Sequence, residues 1–169
     1  MPSNEHHAQS TQPVACGLIT VSDTRTIQTD ESGRIMKELL VDAGHRIVEQ
    51  QIVPDEPSRI RDLCLELCGR KDCQALLLTG GTGIAKRDTT IETVSAFFER
   101  RLDGFGELFR MLSFEQVEAA AMLSRAAAGV CRDTIVFAMP GSPTAVRLAL
   151  ERLILPTLGH VVQLLGKQG

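Results

Sequence analysis

Short apolar segments alternate along this chain with segments whose apolar residues recur at helical spacing, and this alternation constrains the fold more than any other feature. Residues 14–21 form a nearly continuous apolar run, as expected of a parallel strand covered on both faces. Ile35, Met36, Leu39, Leu40 and Ala43 then fall on one helix face, and Gly44 stops that helix. Residues 46–53 predict a second strand, and Ile60, Leu63, Cys64 and Leu67 the inner face of a second helix ended by Gly69. Residues 75–78 are a third buried strand that runs straight into Thr79-Gly-Gly-Thr-Gly83. A third helix is expected from Thr90 to about Arg100, then a Gly-Phe-Gly turn at 104–106 and mostly helical sequence to Gly129. Residues 134–138 make a fourth strand, followed by a helix from Pro143 to about Leu155 and an apolar, helical tail to Leu165.

Strand–helix alternation implies right-handed crossovers. It therefore predicts an α/β three-layer sandwich, a mostly parallel sheet with helices on both faces. At 169 residues, with no internal repeat and no linker, the expectation is a single domain over 14–169 behind a flexible polar arm over 1–13. That arm lacks the apolar core of a secretory signal. No apolar run approaches the roughly 20 residues that span a bilayer, so no membrane partner is expected. The chain has no Trp, no Tyr, six Phe and a net charge of −3, which leaves neither stacking platform nor basic groove for nucleic acid. Five cysteines at irregular spacing, with no Cys-x-x-Cys pair, predict buried thiols in a cytoplasmic protein.

In such sheets ligands bind beyond the C-terminal strand ends. The segments to inspect are the loops at 22–30, 54–57, 79–88 and 139–143. The strongest local signal is Thr79, Gly80, Gly81, Thr82 and Gly83. Its glycines would let a ligand approach the backbone, and successive N–H groups can cradle an anion; the alternative is a tight strand-exit turn. The loop lacks both the Walker pattern, since Lys86 is followed by Arg87, and the third Gly of a dinucleotide fingerprint. Asp88 precedes a capping-box pattern, Thr89 with Glu92, and reads either as a dipole partner or as an oxygen ligand for Mg²⁺. Asp55 reads either as an N-cap before Pro57 or as a second carboxylate for the same metal. Ser142-Pro143 is a helix start whose N-terminus would welcome an anion. No Ser-His-Asp or Cys-His arrangement is recognisable.

Five segments taken together, Thr20-Val-Ser22-Asp23, Thr79-Gly-Gly-Thr-Gly83 with Asp88, Gly104-Phe-Gly-Glu-Leu-Phe-Arg110, Leu123-Ser-Arg125 and Met139-Pro-Gly-Ser142, resemble the molybdenum cofactor biosynthesis proteins of the B type. These are close relatives of the molybdopterin adenylyltransferases. The resemblance runs from about Cys16 to His160. It implies Mg²⁺-dependent transfer of AMP from ATP to the terminal phosphate of molybdopterin, with Asp55 and Asp88 as catalytic, metal-holding acids. It implies phosphate or nucleotide contacts at Ser22, Asp23, residues 79–83, Pro140, Gly141 and Ser142. Glu107, Arg110, Ser113, Ser124 and Arg125 match positions lining the pterin. A homotrimer or hexamer and hand-over to the molybdate-inserting enzyme are implied as well. A module that binds or delivers the pterin without chemistry, and a nucleotide-binding regulator, are the competing readings. The apolar tail at 150–165 and the run at 105–114 are the candidate oligomer contacts.

Overall fold

The computed structural model describes residues 12–166, so the expected arm at 1–13 lies outside the described residues apart from Gln12 and Pro13. The elements in chain order are β1 (Ala15–Val21), α1 (Glu31–Asp42), β2 (Arg46–Val53), α2 (Pro57–Gly69), β3 (Ala75–Thr79) and α3 (Thr90–Phe97). Next come β4 (Arg100–Arg101), α4 (Asp103–Val117), a 3-10 helix (Glu118–Leu123), β5 (Ala127–Cys131) and β6 (Thr134–Met139). The chain closes with α5 (Pro143–Ala149), a π turn (Leu150–Ile154) and α6 (Leu155–Leu165). One six-stranded sheet has the order β2-β1-β3-β6-β5-β4. β1 pairs in parallel with β2 and β3, and β3 with β6; β5 and β4 then run antiparallel.

Because strand side chains alternate between faces, the central strands feed two cores. Leu18, Leu77, Phe137 and Met139 join α1, α4, α5 and α6 in one; Ile19, Leu76, Leu78 and Val136 join α2 and α3 in the other. The result is the expected three-layer, mostly parallel arrangement.

Three local expectations are corrected. Residues 127–131 are a buried strand, not the end of a helix: Ala127 pairs with Ala138 and Cys131 with Thr134. The Gly-Phe-Gly turn does not form, because Gly104 and Gly106 lie inside α4. A Cβ at Gly106 would stand 2.6 Å from the Ala126 carbonyl oxygen, so glycine lets the helix sit directly on the backbone that leads into β5. The third helix stops at Phe97, before the two-residue strand β4.

The last helix continues through Pro156, which cannot donate an N–H, and a π turn absorbs that irregularity. By length and composition residues Pro143–Leu165 would cross a bilayer. Leu150, Ile154, Leu158 and Val162 are nevertheless buried in the first core, which makes this a core helix. All five cysteines are buried thiols, and burial pushes Cys64 up to about 12.

Candidate functional site

The parallel strands β1, β3 and β6 end side by side, and the loops that leave them lock together. Thr79, the last residue of β3, donates its hydroxyl to the Pro140 carbonyl at 2.9 Å, and the Gly80 N–H donates to the Met139 carbonyl at 3.1 Å. Gly80 has φ +96°, and a Cβ there would stand 2.3 Å from the Val21 carbonyl oxygen. Gly81 has φ +65°, with its Cβ position 2.3 Å from Thr90 Oγ1 and 3.1 Å from Asp55 Oδ2. The loop at 79–83 therefore requires glycine for both conformation and space. Thr82 is buried. Gly141 packs on Gly80, and its carbonyl accepts the Ser32 hydroxyl at 2.6 Å. Ser142 caps α5, accepting the Ala145 N–H at 3.2 Å.

Asp55 and Asp88 both face this loop. The Cβ position at Gly83 is 2.7 Å from Asp88 Oδ2, as that at Gly81 is 3.1 Å from Asp55 Oδ2. Asp55 caps nothing: Glu56 holds the cap position of α2 and makes no side-chain cap bond. The capping box at α3 also fails to form. Thr89 turns its hydroxyl to Asp55 Oδ1 at 3.2 Å, and Glu92 pairs with Arg125. Asp88 accepts the Ala85 N–H at 3.2 Å. Asp23, on the loop after β1, accepts the Asp55 N–H at 2.9 Å and forms an ion pair with Arg87. Ser22 accepts N–H groups from Thr24 and Arg25, shaping that loop.

Burial holds the Asp55 carboxyl above its ordinary range; the Thr89 hydroxyl pulls the other way, and the charge of Asp88 adds to the rise. Thr90 Oγ1 is buried beside Asp55 and Gly81 without a hydrogen-bond partner among the described residues. Two carboxyl groups that join none of the ion pairs among the described residues, beside an orphaned hydroxyl, fit a hard dication. Among the described residues no group of three or more His, Cys, Asp or Glu converges. Two protein carboxylates with the remaining positions left to phosphate and water is the usual way Mg²⁺ is held.

The expected pterin residues divide. Glu107 and Arg110 line a polar hollow of about 190 Å³ with Arg101, Asp103 and residues 126–128, at the same sheet edge as the Gly-rich loop. Ser113 is buried on α4, and Ser124 ends the 3-10 helix. Arg125 points instead into the Gly-rich loop. Its Nε donates to the Thr82 carbonyl at 2.9 Å and a terminal nitrogen to the Gly83 carbonyl at 2.6 Å.

Two cavities flank the loop at 22–30. One, of about 620 Å³, is lined by Ser22, Asp23, Arg25, Gln50, Gln51 and Pro54. The other, of about 210 Å³, is lined by Thr20, Asp30, Ser32, Thr79, Gly80 and Gly141. Asp30 and Ser32 escape a sequence reading centred on glycine. Asp30 nevertheless carried a signal, since it caps α1 by accepting the Gly33 N–H at 2.9 Å while Thr20 donates to its other oxygen at 2.6 Å.

Residues 17–160 match the family model described as a probable molybdopterin binding domain. The chain is 47% identical over 169 residues to the molybdenum cofactor biosynthesis protein B of Bacillus cereus, covering 99% of this chain and 100% of that one. It is 49% identical over 164 residues to the protein of that name from Halalkalibacterium halodurans, with 96% of each covered. A crystal structure of a molybdenum cofactor biosynthesis protein B superposes with a TM-score of 0.91 at 47% identity, over 95% of this chain and 100% of that one. The tungsten cofactor synthesizing protein MoaB from Pyrococcus furiosus superposes at 0.81 with 35% identity, over 90% and 96%. A Gly-rich loop flanked by two acids, on a chain matched end to end by these relatives, places it in the molybdenum cofactor biosynthesis protein B family.

Proposed function

We propose that this chain, a protein of molybdenum cofactor biosynthesis, transfers AMP from ATP to the terminal phosphate of molybdopterin. The observation that carries this reading is the Asp55–Asp88 pair, whose carboxylates flank the Gly-rich loop at Gly81 and Gly83. A merely structural pair of acids would be expected to find caps or counter-ions, and Asp55 does neither. A Mg²⁺ ion held by the two acids would neutralise phosphate charge and fix the leaving pyrophosphate.

The rest falls to the chain itself. Glycine at 80, 81 and 83 leaves three of these four loop positions without a side chain of their own, the condition under which backbone N–H groups can approach phosphate oxygens. Ser142 at the N-terminus of α5 and Asp30 at that of α1 fix two helix starts around the smaller cavity. Arg110 and Glu107 offer a cation and an acceptor to the pterin side. In the transfer, an oxygen of the pterin phosphate attacks the α-phosphorus of ATP. The bond to the bridging α–β oxygen breaks, and pyrophosphate leaves. Such a reaction asks the protein for alignment and charge placement, with little covalent chemistry of its own.

The active form in this reading is a homotrimer or a pair of trimers, built on the exposed apolar face of α4. A cytoplasmic location accords with five buried thiols. The adenylylated product would pass to the molybdate-inserting enzyme. The test is incubation of the purified chain with molybdopterin, ATP and Mg²⁺. Adenylylated pterin and pyrophosphate are expected. Pterin binding without either product would overturn the enzyme in favour of a delivery protein, and ATP binding without pterin affinity would favour a regulator.

A further inference from the structure

We infer that Arg125 is a positioning residue that holds the Gly-rich loop in its phosphate-binding shape and does not itself bind the pterin. The inference rests on the nucleotidyl-transfer reading above for its kinetic arm only.

The guanidinium is fully occupied from within the chain. Nε donates to the Thr82 carbonyl at 2.9 Å, and one terminal nitrogen donates to the Gly83 carbonyl at 2.6 Å and the Asp88 carbonyl at 3.4 Å. The other terminal nitrogen forms an ion pair with Glu92, on the first turn of α3. The hydrogen bond from Arg125 holds the Glu92 carboxyl below its usual range. Every nitrogen of the fork therefore has a partner, and its charge is answered. The loop supplies three carbonyls that no other side chain of the described residues contacts.

The base of the clamp is rigid. Arg125 sits two residues before β5, whose first residue Ala127 is paired with Ala138 of β6, and the Ala126 carbonyl lies against Gly106 of α4. Strand and helix thus fix the backbone at 125, and the side chain carries that order into the loop and to Asp88. Lysine could not replace it, because one ammonium cannot span three carbonyls and a carboxylate.

The test pairs kinetics with amide hydrogen exchange on Arg125→Ala, Arg125→Lys and Glu92→Gln. Exchange at 81–88 is expected to rise at least about tenfold in both Arg125 variants while exchange in β1, β3 and β6 stays as in the wild type. Turnover should fall about 10²-fold with the KM for molybdopterin within about twofold, and Glu92→Gln should show a smaller version of both effects. Unchanged exchange at 81–88 would overturn the inference. So would a raised KM for molybdopterin at unchanged kcat, the signature of a pterin ligand. If Arg125→Ala does not fold, Arg125→Lys and Glu92→Gln decide the exchange arm. If the wild type proves inactive, the adenylylation reading falls and exchange at 81–88 still decides the role of Arg125.

Discussion

Asp23 accepts the backbone N–H of Asp55 at 2.9 Å across 32 residues of sequence, and so ties the loop after β1 to the loop after β2. The same carboxylate pairs with Arg87, beyond the Gly-rich loop. One side chain thus sets the spacing of three strand-end loops. Asp23→Ala should release Asp55, cost about 1 kcal/mol of stability and raise the KM for ATP. Asp23→Asn keeps an acceptor for the N–H and should lose less. Denaturant unfolding and steady-state kinetics on both variants check the ranking; equal behaviour of the two would refute it.

Asp55 is held above its ordinary carboxyl range by burial, reinforced by Asp88. A raised folded-state value favours the neutral acid in the folded chain. Its contribution to stability is therefore full below the unfolded carboxyl value and lost as pH rises through the folded one. Ionised Asp55 consequently burdens the fold at neutral pH. Asp55→Asn should raise the melting temperature at pH 7, and that gain should vanish as pH falls below about 3.9. Added Mg²⁺ should stabilise the wild type and not the variant. Melting curves across pH, with and without Mg²⁺, read out both effects.

The Asp88 carboxyl accepts the Ala85 N–H and lies beside the Gly83 backbone. Asp88→Asn should leave folding stability within about 1 kcal/mol while removing most turnover. Full activity in this variant would remove Asp88 from the metal site.

Gly80 offers the sharpest test of the loop itself. At φ +96°, with a Cβ position 2.3 Å from the Val21 carbonyl oxygen, Gly80→Ala must push β3 away from β1. A loss of about 1–3 kcal/mol is expected, together with loss of phosphate binding. Gly44 has φ +88° and open space around it, so Gly44→Ala bears only the backbone strain and should keep activity.

How much of this was legible in the sequence follows from the residue chemistry. β1, β2 and β3 were bounded to within a residue because two apolar runs and one alternating segment ended at Ser22, Thr79 and Pro54, and the Gly-rich loop was evident from composition. β5 was not legible. Its sequence begins with alanines, the best helix formers, and its hairpin to β6 turns on Arg132 and Asp133 at φ +49° and +65°. Such a turn normally announces itself with Asn or Gly, and here it does not. The same blind spot hid what Arg125 touches: the residue was singled out for the pterin side, while its partners are carbonyls of the loop 42 or 43 residues away. Backbone acceptors leave no mark on the sequence that recruits them. The capping box at Thr89 was legible yet overridden, because Asp55 and Arg125 bind its two side chains more favourably than the helix end does.

The final prediction concerns assembly, where packing relocates the expected contact. The apolar load of residues 150–165 is mostly internal: Leu150, Ile154, Leu158 and Val162 are buried, and Leu153, Leu155, Val161 and Leu165 pack against the same core. Exposed large apolar side chains cluster on α4 and the 3-10 helix after it, whereas Ile27, Val41, Ile84 and Leu164 are scattered singly. Leu108, Met111, Phe114 at 59%, Met122 at 79% and Leu123 are exposed there. Phe114 and Met111 fall three residues apart and share a helix face. Burying such side chains against a second copy contributes roughly 1.5–3 kcal/mol each, enough for several together to offset the entropy of association. Light scattering at micromolar concentration should therefore give a mass three times the 18.4 kDa of one chain, or a multiple of that. Phe114→Asp should shift it to the monomer while leaving circular dichroism intact, since Phe114 contributes no buried contact to the core. Leu164→Asp, at the exposed end of α6, should leave the assembly unchanged. A wild-type mass near 18.4 kDa, or dissociation by Leu164→Asp and not by Phe114→Asp, would show that α4 is not the contact.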